Sequence, residues 1–362
     1  MSSNGLMERP DWVSPPGDTI TTLLEEHELS LEEFAVRIGR TQSIAQKLLD
    51  GKHSIDIKLA QRLAKVFGAS ETFWMAREHD YRASMGPQPE VAITSFDDLI
   101  GSLPLVDMKK FGWVKNAKTR DEKIAEIMDF FGVSTLAQWQ GRYSNAFRGA
   151  TYRRSAAYAS CEISTTAWLR QGEIETQDDQ VLAWSPARLR KEIESFRRLT
   201  WYKSPDLFLP RLKDGLGMAG VKFAITRCPR GCSASGAVRI LSDGTPHIQL
   251  SGRYLSDDQF WFSLFHEIAH LLLHFDKMPI FENDELAESQ CETEANDFAS
   301  QVIVPSKNFD EMLSLGGAKY SIIAFAKKIG IAPGLVVGQL QHAGVLRYNQ
   351  MQHLKRRYRW ID

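Results

Sequence analysis

Two histidines and a glutamate in one short run are the residues best placed to do chemistry. The stretch Phe260–His274 reads FWFSLFHEIAHLLLH and contains His266-Glu267-Ile268-Ala269-His270. On an α-helix, side chains four residues apart stand one above the other on the same face, so His266 and His270 can direct two imidazoles at one metal ion. Glu267, one step round, can face a water beside that ion and act as its general base. A lone histidine in so apolar a helix reads as a satisfied core residue. Two at this spacing, with a glutamate between them and apolar helix on both sides, reverse that reading. Ser256, Asp257 and Asp258 precede the run as candidate N-caps, and Gln259 stands three residues after Ser256.

A catalytic zinc takes three protein ligands and keeps one position open. His274 would stand about 12 Å along the helix axis from His266, too far to share its ion. A place near the helix end, where the dipole suits a histidine, is expected for it instead. The stretch that ends at Val302 holds better candidates. Cys291, Ala295, Phe298 and Val302 form an apolar stripe, and Glu292 and Asn296 are the next row round, four residues apart. Glu292 can bind the metal while Asn296 supports a ligand histidine. Glu288 and Glu294 are rivals that helix geometry alone does not exclude.

HEIAHLLLH followed by ETEANDFASQVIVP resembles the ImmA/IrrE family of zinc metallopeptidases, whose pattern is HExxH, then ExxxNxFA, then a proline. The resemblance implies that His266, His270 and Glu292 are the metal ligands and Glu267 the catalytic glutamate. It also puts Asn296 at the supporting position and Pro305 at the proline. It further implies bound zinc (Zn2+), a zincin-like fold, and a cytoplasmic bacterial or phage protein linked to cleavage of helix-turn-helix repressors. The departure is Val-Ile-Val-Pro in place of a leucine-methionine-proline ending, which touches packing and not chemistry.

The elements around this run divide the 362 residues into several parts. Hydrophobic content of 43% and charged content of 25% are ordinary for a soluble globular protein. There is no run of about eighteen apolar residues, and MSSNGLMERPDW is not a signal peptide, so membrane contact is not expected. Four cysteines are too few for a disulfide scaffold and are expected as reduced thiols of the cytosol. Cys228 and Cys232 form CPRGC without a second Cys/His pair at finger spacing, which reads as a Gly-rich loop.

Near the N-terminus, Thr19–His27 reads as a first helix. Ser30 caps LEEFAVRIG, which ends at Gly39, and Thr41 caps QSIAQKLLD, which ends at Gly51. Ile55–Phe67 makes a fourth helix, and Ser70 caps a fifth. Helix, Gly turn, helix, with apolar Phe34, Ala35, Ile38, Ile44 and Leu48, is a helix-turn-helix pattern. Net charge over this domain is slightly acidic, a caution against reading DNA binding from electrostatics alone, but the distribution matters more. Arg37, Arg40, Lys47, Lys52, Lys58, Arg62 and Lys65 cluster against only Asp50 and Asp56, over the second helix of the motif and its flanks. Thr41, Gln42, Ser43 and Gln46 can hydrogen-bond base edges or phosphates, with Arg40, Lys47 and Lys52 on the phosphate backbone. The first eighty or so residues resemble the lambda-repressor-like (XRE) fold, nearest its HigA antitoxin branch, through the opening Pro-Gly and the closing Gly-x-Ser-x-x-Phe-Trp. That resemblance implies a homodimer on a palindromic double-stranded operator, and a possible toxin partner.

Met85–Glu90, with two prolines and a glycine, is a linker. Asp121–Phe131, Ser134–Gln140, Arg153–Arg170 and Pro186–Trp201 read as helices of a spacer, dimerisation or sensor region. VKFAIT, GAVRIL and PHIQLS are short β-prone runs, one of which should offer its edge to a peptide substrate. His247 and Tyr254 are weak candidates as transition-state helpers. The tail from Leu346, basic with Tyr348, Tyr358 and Trp360, reads as an amphipathic helix packed on the peptidase domain or as a nucleic-acid contact. The expected fold is α+β and mostly helical: a lambda-repressor-like helical domain over 16–84, a linker over 85–94 and a helical middle region over 95–219. A zincin-like metallopeptidase core with a small sheet then spans 220–310, followed by a C-terminal helical subdomain with the basic tail over 311–362. The function expected is a DNA-binding regulator that cleaves a repressor, an antitoxin or itself. The alternative is an antitoxin or repressor whose metal domain is a sensor or toxin-binding scaffold.

Overall fold

The structure, a computed structural model, describes residues 16–26, 29–51, 53–84, 93–143, 151–154, 162–232, 234–252, 255–277 and 285–360. Lys52, Tyr254 and most of the linker lie outside the described residues. The chain forms two compact units, 1–93 with 154–159, and 94–153 with 160–362.

The first unit is a bundle of α1 (Pro16–Glu26), α2 (Leu31–Arg37), α3 (Gln42–Leu49), α4 (Ile57–Phe67) and α5 (Glu71–Ser84). Its termini form where the capping residues stand. Ser30 caps α2 in a capping box with Glu33, and the Thr41 hydroxyl accepts from the Ile44 amide at the start of α3. The fourth helix starts at Ile57, two residues later than the apolar pattern suggests, because the Asp56 carboxylate caps the Leu59 amide at 2.6 Å. Ile20, Phe34, Ile38, Leu48, Leu59, Leu63 and Trp74 fill the core.

The second unit opens with α6 (Phe96–Ser102), α7 (Leu105–Lys110), α8 (Arg120–Phe131), α9 (Leu136–Tyr143) and strand β1 (Thr151–Arg154). It continues with α10 (Glu162–Glu175), α11 (Pro186–Leu199) and α12 (Pro205–Ala219). The helix expected over Arg153–Arg170 is thus a strand at 151–154 and a helix beginning at Glu162; Thr-Tyr-Arg-Arg joins the edge of the sheet instead of a helical turn. Then come β2 (Lys222–Ile225), β3 (Ala234–Ile240) and β4 (Pro246–Leu250), at the three β-prone runs, followed by α13 (Asp257–Leu273) and α14 (Glu285–Ile303). The last helices are α15 (Phe309–Ser314), α16 (Lys319–Ile329) and α17 (Pro333–His342).

The strand order is β1-β3-β4-β2, with β2 parallel and β3 antiparallel to β4. Strand alternation gives the sheet two working faces. Val238, Ile248 and Leu250 enter the core with Leu264, Phe265 and Ile268 of α13. On the other face Gln249 donates to the Trp168 carbonyl of α10 at 2.7 Å, and Arg239 reaches the Leu169 carbonyl and Glu173. Helices α11 and α12 belong to the α13 core through Leu189, Phe196, Phe208 and Leu212, so part of the expected middle region packs directly on the motif helix.

Helix α13 is buried nearly all round, as a central core helix must be. Ser256 occupies its N-cap position but makes no side-chain cap bond there. The tail holds that end instead: the Asp257 amide donates to the Arg356 carbonyl, and the Tyr358 amide donates to the Leu255 carbonyl at 2.7 Å. The tail is accordingly a short 3-10 turn, Gln352–Leu354, and an extended segment rather than a helix, its backbone bonded to the residues before α13. Among the described residues no single helix is long and apolar enough to cross a membrane.

Candidate functional site

Helices α13 and α14 pack closely because α14 presents Cys291, Ala295, Ala299 and Ile303, all buried. This stripe follows i, i+4, i+8, i+12; Phe298 and Val302, assigned to it from the sequence, are only partly buried beside it. Small residues at its centre let the helices approach, which brings Glu292 and Asn296 level with the histidines of α13.

Glu292 carboxylate oxygens lie 3.3 Å from His266 Nε2 and 3.2 Å from His270 Nε2, and the two Nε2 atoms are 3.1 Å apart. His266 Nδ1 donates to Asn296 Oδ1 at 3.1 Å. His270 Nδ1 donates to His274 Nδ1 at 3.2 Å, and His274 Nε2 donates to Glu294 Oε2 at 2.9 Å. With both Nδ1 atoms protonated for these bonds, two Nε2 lone pairs and a carboxylate converge on one point. Three acceptors this close repel one another unless a cation stands between them. The separations also match the ligand-to-ligand edge of a tetrahedral zinc site, about 3.3 Å for bonds of 2.0–2.1 Å. The donor set therefore fits a zinc-type metal, and it is the one such group among the described residues.

Burial lowers the basicity of His270, partly offset by Glu292. Glu267, also fully buried, faces β3 at Gly236. A Cβ built on Gly236 would lie 2.4 Å from Glu267 Oε1 and 2.9 Å from Leu250 Cδ2, so any larger residue here would displace these side chains.

Several expectations resolve differently. Glu294 is not a rival ligand but holds His274, which in turn orients His270. His274 sits at the helix end as expected, yet it is 1% exposed and engaged on both nitrogens instead of resting in the dipole at the surface. The side chain of Glu288 lies outside the described residues. His247 is buried on β4 next to Gln249 in alternation with Ile248 and Leu250, which puts it on the sheet face away from α13. Cys228 and Cys232 sit with sulfurs 3.0 Å apart across the Pro229–Cys232 turn, a loop closure and not part of a larger metal group among the described residues. The His274–Glu294 relay escaped sequence reasoning, although His274 stands four residues after His270 on the same helical face.

On α3, Gln42, Ser43, Gln46 and Lys47 are exposed on one continuous face, while Ala45 and Leu48 are buried. Gln46 donates to Asp50 at 2.8 Å, and Arg40 stands 3.8 Å from Asp56. Thr41, the α3 cap, is exposed as well.

Residues 224–336 match the family model of the IrrE N-terminal-like domain, a peptidase M78 group. The N-terminal region is 38% identical over 60 residues to the uncharacterized HTH-type transcriptional regulator YddM of Escherichia coli K12. That match covers 17% of this chain and 64% of the regulator. No solved structure matches the chain. One chain thus joins an HTH-type region to an IrrE N-terminal-like domain.

Proposed function

We propose that the protein is a DNA-binding regulator whose C-terminal domain is a zinc-dependent peptidase acting on a repressor, an antitoxin or the chain itself. The convergence of His266, His270 and Glu292 beside Glu267, in a chain that also carries a helix-turn-helix region, is the observation that supports this reading. When bound, zinc supplies Lewis acidity that makes water nucleophilic near neutral pH. Glu267 takes the proton from the attacking water and returns it to the leaving amine. Asn296 and the His274–Glu294 pair fix the histidine tautomers so that both Nε2 atoms face inward. In the helix-turn-helix region, Arg40, Lys47 and Lys52 are the phosphate contacts, and Thr41, Gln42, Ser43 and Gln46 meet the operator of a homodimer.

The test compares purified wild type with Glu267→Gln, both loaded with zinc, for metal content and for cleavage of the chain and of the neighbouring gene products. Equal metal in both, with cleavage slowed about 10²–10⁴-fold by the substitution, is expected for loss of a general base. Metal in both and fragments from neither would remove the proteolytic reading. Metal in neither would remove the site.

A further inference from the structure

A second set of nucleophilic side chains stands at the entrance to β3. Pro229–Cys232 is a turn in which the Cys232 amide donates to the Pro229 carbonyl at 3.1 Å and Gly231 takes a φ of 85°. Glycine holds that third position of the turn without strain, so Cys-Pro-Arg-Gly-Cys folds its two ends together. The result is a pair of thiols with Sγ atoms 3.0 Å apart, not joined in a disulfide. Closing the bond needs about 1 Å of travel, to a length of about 2.05 Å.

The two sulfurs differ in access. Cys228 is half-buried, whereas Cys232 is buried among Trp168, Ala234 and Ala237. An oxidant therefore meets Cys228 first, and Cys232 is already in contact to resolve the product. One side of the turn is anchored on α7 and its end: the Arg230 amide donates to Asp107 at 2.7 Å, and the Arg227 guanidinium lies over the Phe111 ring. The other side runs straight into the sheet. The Cys228 thiol donates to the Ala234 carbonyl at 3.5 Å, and the Ser235 carbonyl accepts from the Ser251 amide at 3.0 Å. Gly236, the next residue, is the one that faces Glu267.

We infer that Cys228 and Cys232 form a reversible thiol–disulfide site for hydroperoxides, whose state is passed along β3 to the segment beside Glu267. The Cys228 sulfur, as thiolate, attacks one peroxide oxygen. The O–O bond breaks, an alcohol (water, from hydrogen peroxide) leaves with the Cys228 proton, and the sulfur becomes a sulfenic acid. The Cys232 sulfur then attacks that sulfur, the S–O bond breaks, and water leaves with the Cys232 proton. The peroxide gains the two electrons that the thiols lose, and a thiol such as glutathione reopens the bond by exchange. Closure removes the donor to the Ala234 carbonyl and ties the start of β3 to a turn fixed on α7. This chemistry stands whether or not the metal centre is a peptidase; on the peptidase reading it makes the strand beside the catalytic carboxylate respond to oxidant.

The test treats the zinc-loaded full chain with hydrogen peroxide in a Cys161→Ser background, which removes the cysteine outside the described residues. Intact mass should fall by two hydrogens. Tryptic mapping should join the Cys228 and Cys232 peptides across the cut after Arg230, with dithiothreitol reversing both changes. Cys232→Ser should stop instead at a sulfenic acid that dimedone captures, and Cys228→Ser should slow thiol loss at least about tenfold, because the remaining sulfur is buried. Amide exchange over 234–240 should become about threefold to tenfold slower on oxidation, and not in Cys228→Ser. Thermal melting checks that each variant is folded. No crosslink in the folded chain would overturn the site. A crosslink that leaves exchange over 234–240 unchanged would overturn its connection to β3.

Discussion

The exposed face of α3 and the buried face of α13 are built on opposite plans. On α3 the polar residues Gln42, Ser43, Gln46 and Lys47 point to solvent, and each makes at most a local bond such as Gln46 to Asp50. On α13, His266, Glu267 and His270 are fully buried, and the two histidines are held by residues of α14 or the helix end. A surface side chain is screened and loses rotamer freedom when it binds, so its contribution is modest and close to additive. Buried polar groups have no water to fall back on, so removing one member strands the next. The metal end should therefore respond to single substitutions in large coupled steps, and the helix-turn-helix end in small independent ones.

The sharpest test of that contrast is a residue which touches no metal. Glu294→Ala removes the acceptor that holds His274 and leaves His266, His270 and Glu292 in place. Loss of such a supporting partner costs about 10–100-fold in metal affinity. A competition titration with a chromogenic zinc chelator reads this directly. The double variant Glu294→Ala with His274→Phe should fall little below the single one, since the two residues act as one relay. Additive losses would mean that the buried network is not coupled and that the comparison with α3 fails.

The same contrast explains what could be read in the sequence. His266, His270, Glu292 and Asn296 lie on two helices with clean periodicity, so spacing alone places them on shared faces. Ser30 and Thr41 mark helix starts for local reasons of capping and are found where the sequence puts them. On α14 a period of 3.6 permits either Phe298 or Ala299 in the stripe, and only the close approach to α13 selects the smaller residue. Tyr358 and Trp360 stand two apart, which fits an extended segment better than a helix; that signal was present but competes with a basic, helix-like composition. The packing of the tail against α12 and α13 had no local signal. Phe208 meets Phe260 at 5.5 Å and Tyr358 at 5.9 Å between ring centroids, contacts that only the folded chain creates.

A second test concerns the N-terminal end of α13. Burial, then the neighbouring Asp258 carboxylate, push the Asp257 carboxyl up to about 6 from 3.8. As pH rises the unfolded chain releases this proton first. The stabilising contribution of the group is thus complete below about pH 4 and is lost as pH climbs through about 6. Asp257→Asn keeps an acceptor for the Arg356 amide and removes the titration. The variant should gain about 2 kcal/mol on wild type between pH 4 and pH 7, read from urea unfolding at each pH. Parallel pH profiles would show that this carboxyl is not strained by its surroundings.

The smallest effect belongs to α3. Lys47 is exposed and stands on the face proposed to meet the operator. A lysine that neutralises one phosphate releases about one counterion, so Lys47→Ala should lower the slope of log affinity against log salt by about 1. The affinity loss should stay under about tenfold at physiological salt and be the same for matched and mismatched operators, because a phosphate contact carries no sequence information. Gln42→Ala should behave in the opposite way, relaxing discrimination at one base pair and leaving the salt slope unchanged. Fluorescence anisotropy with a labelled operator over a salt series separates the two. The Lys47 and Gln42 effects should add in the double variant, since neither side chain is bonded to the other; a large non-additive loss would give this surface the coupled character that distinguishes the buried site.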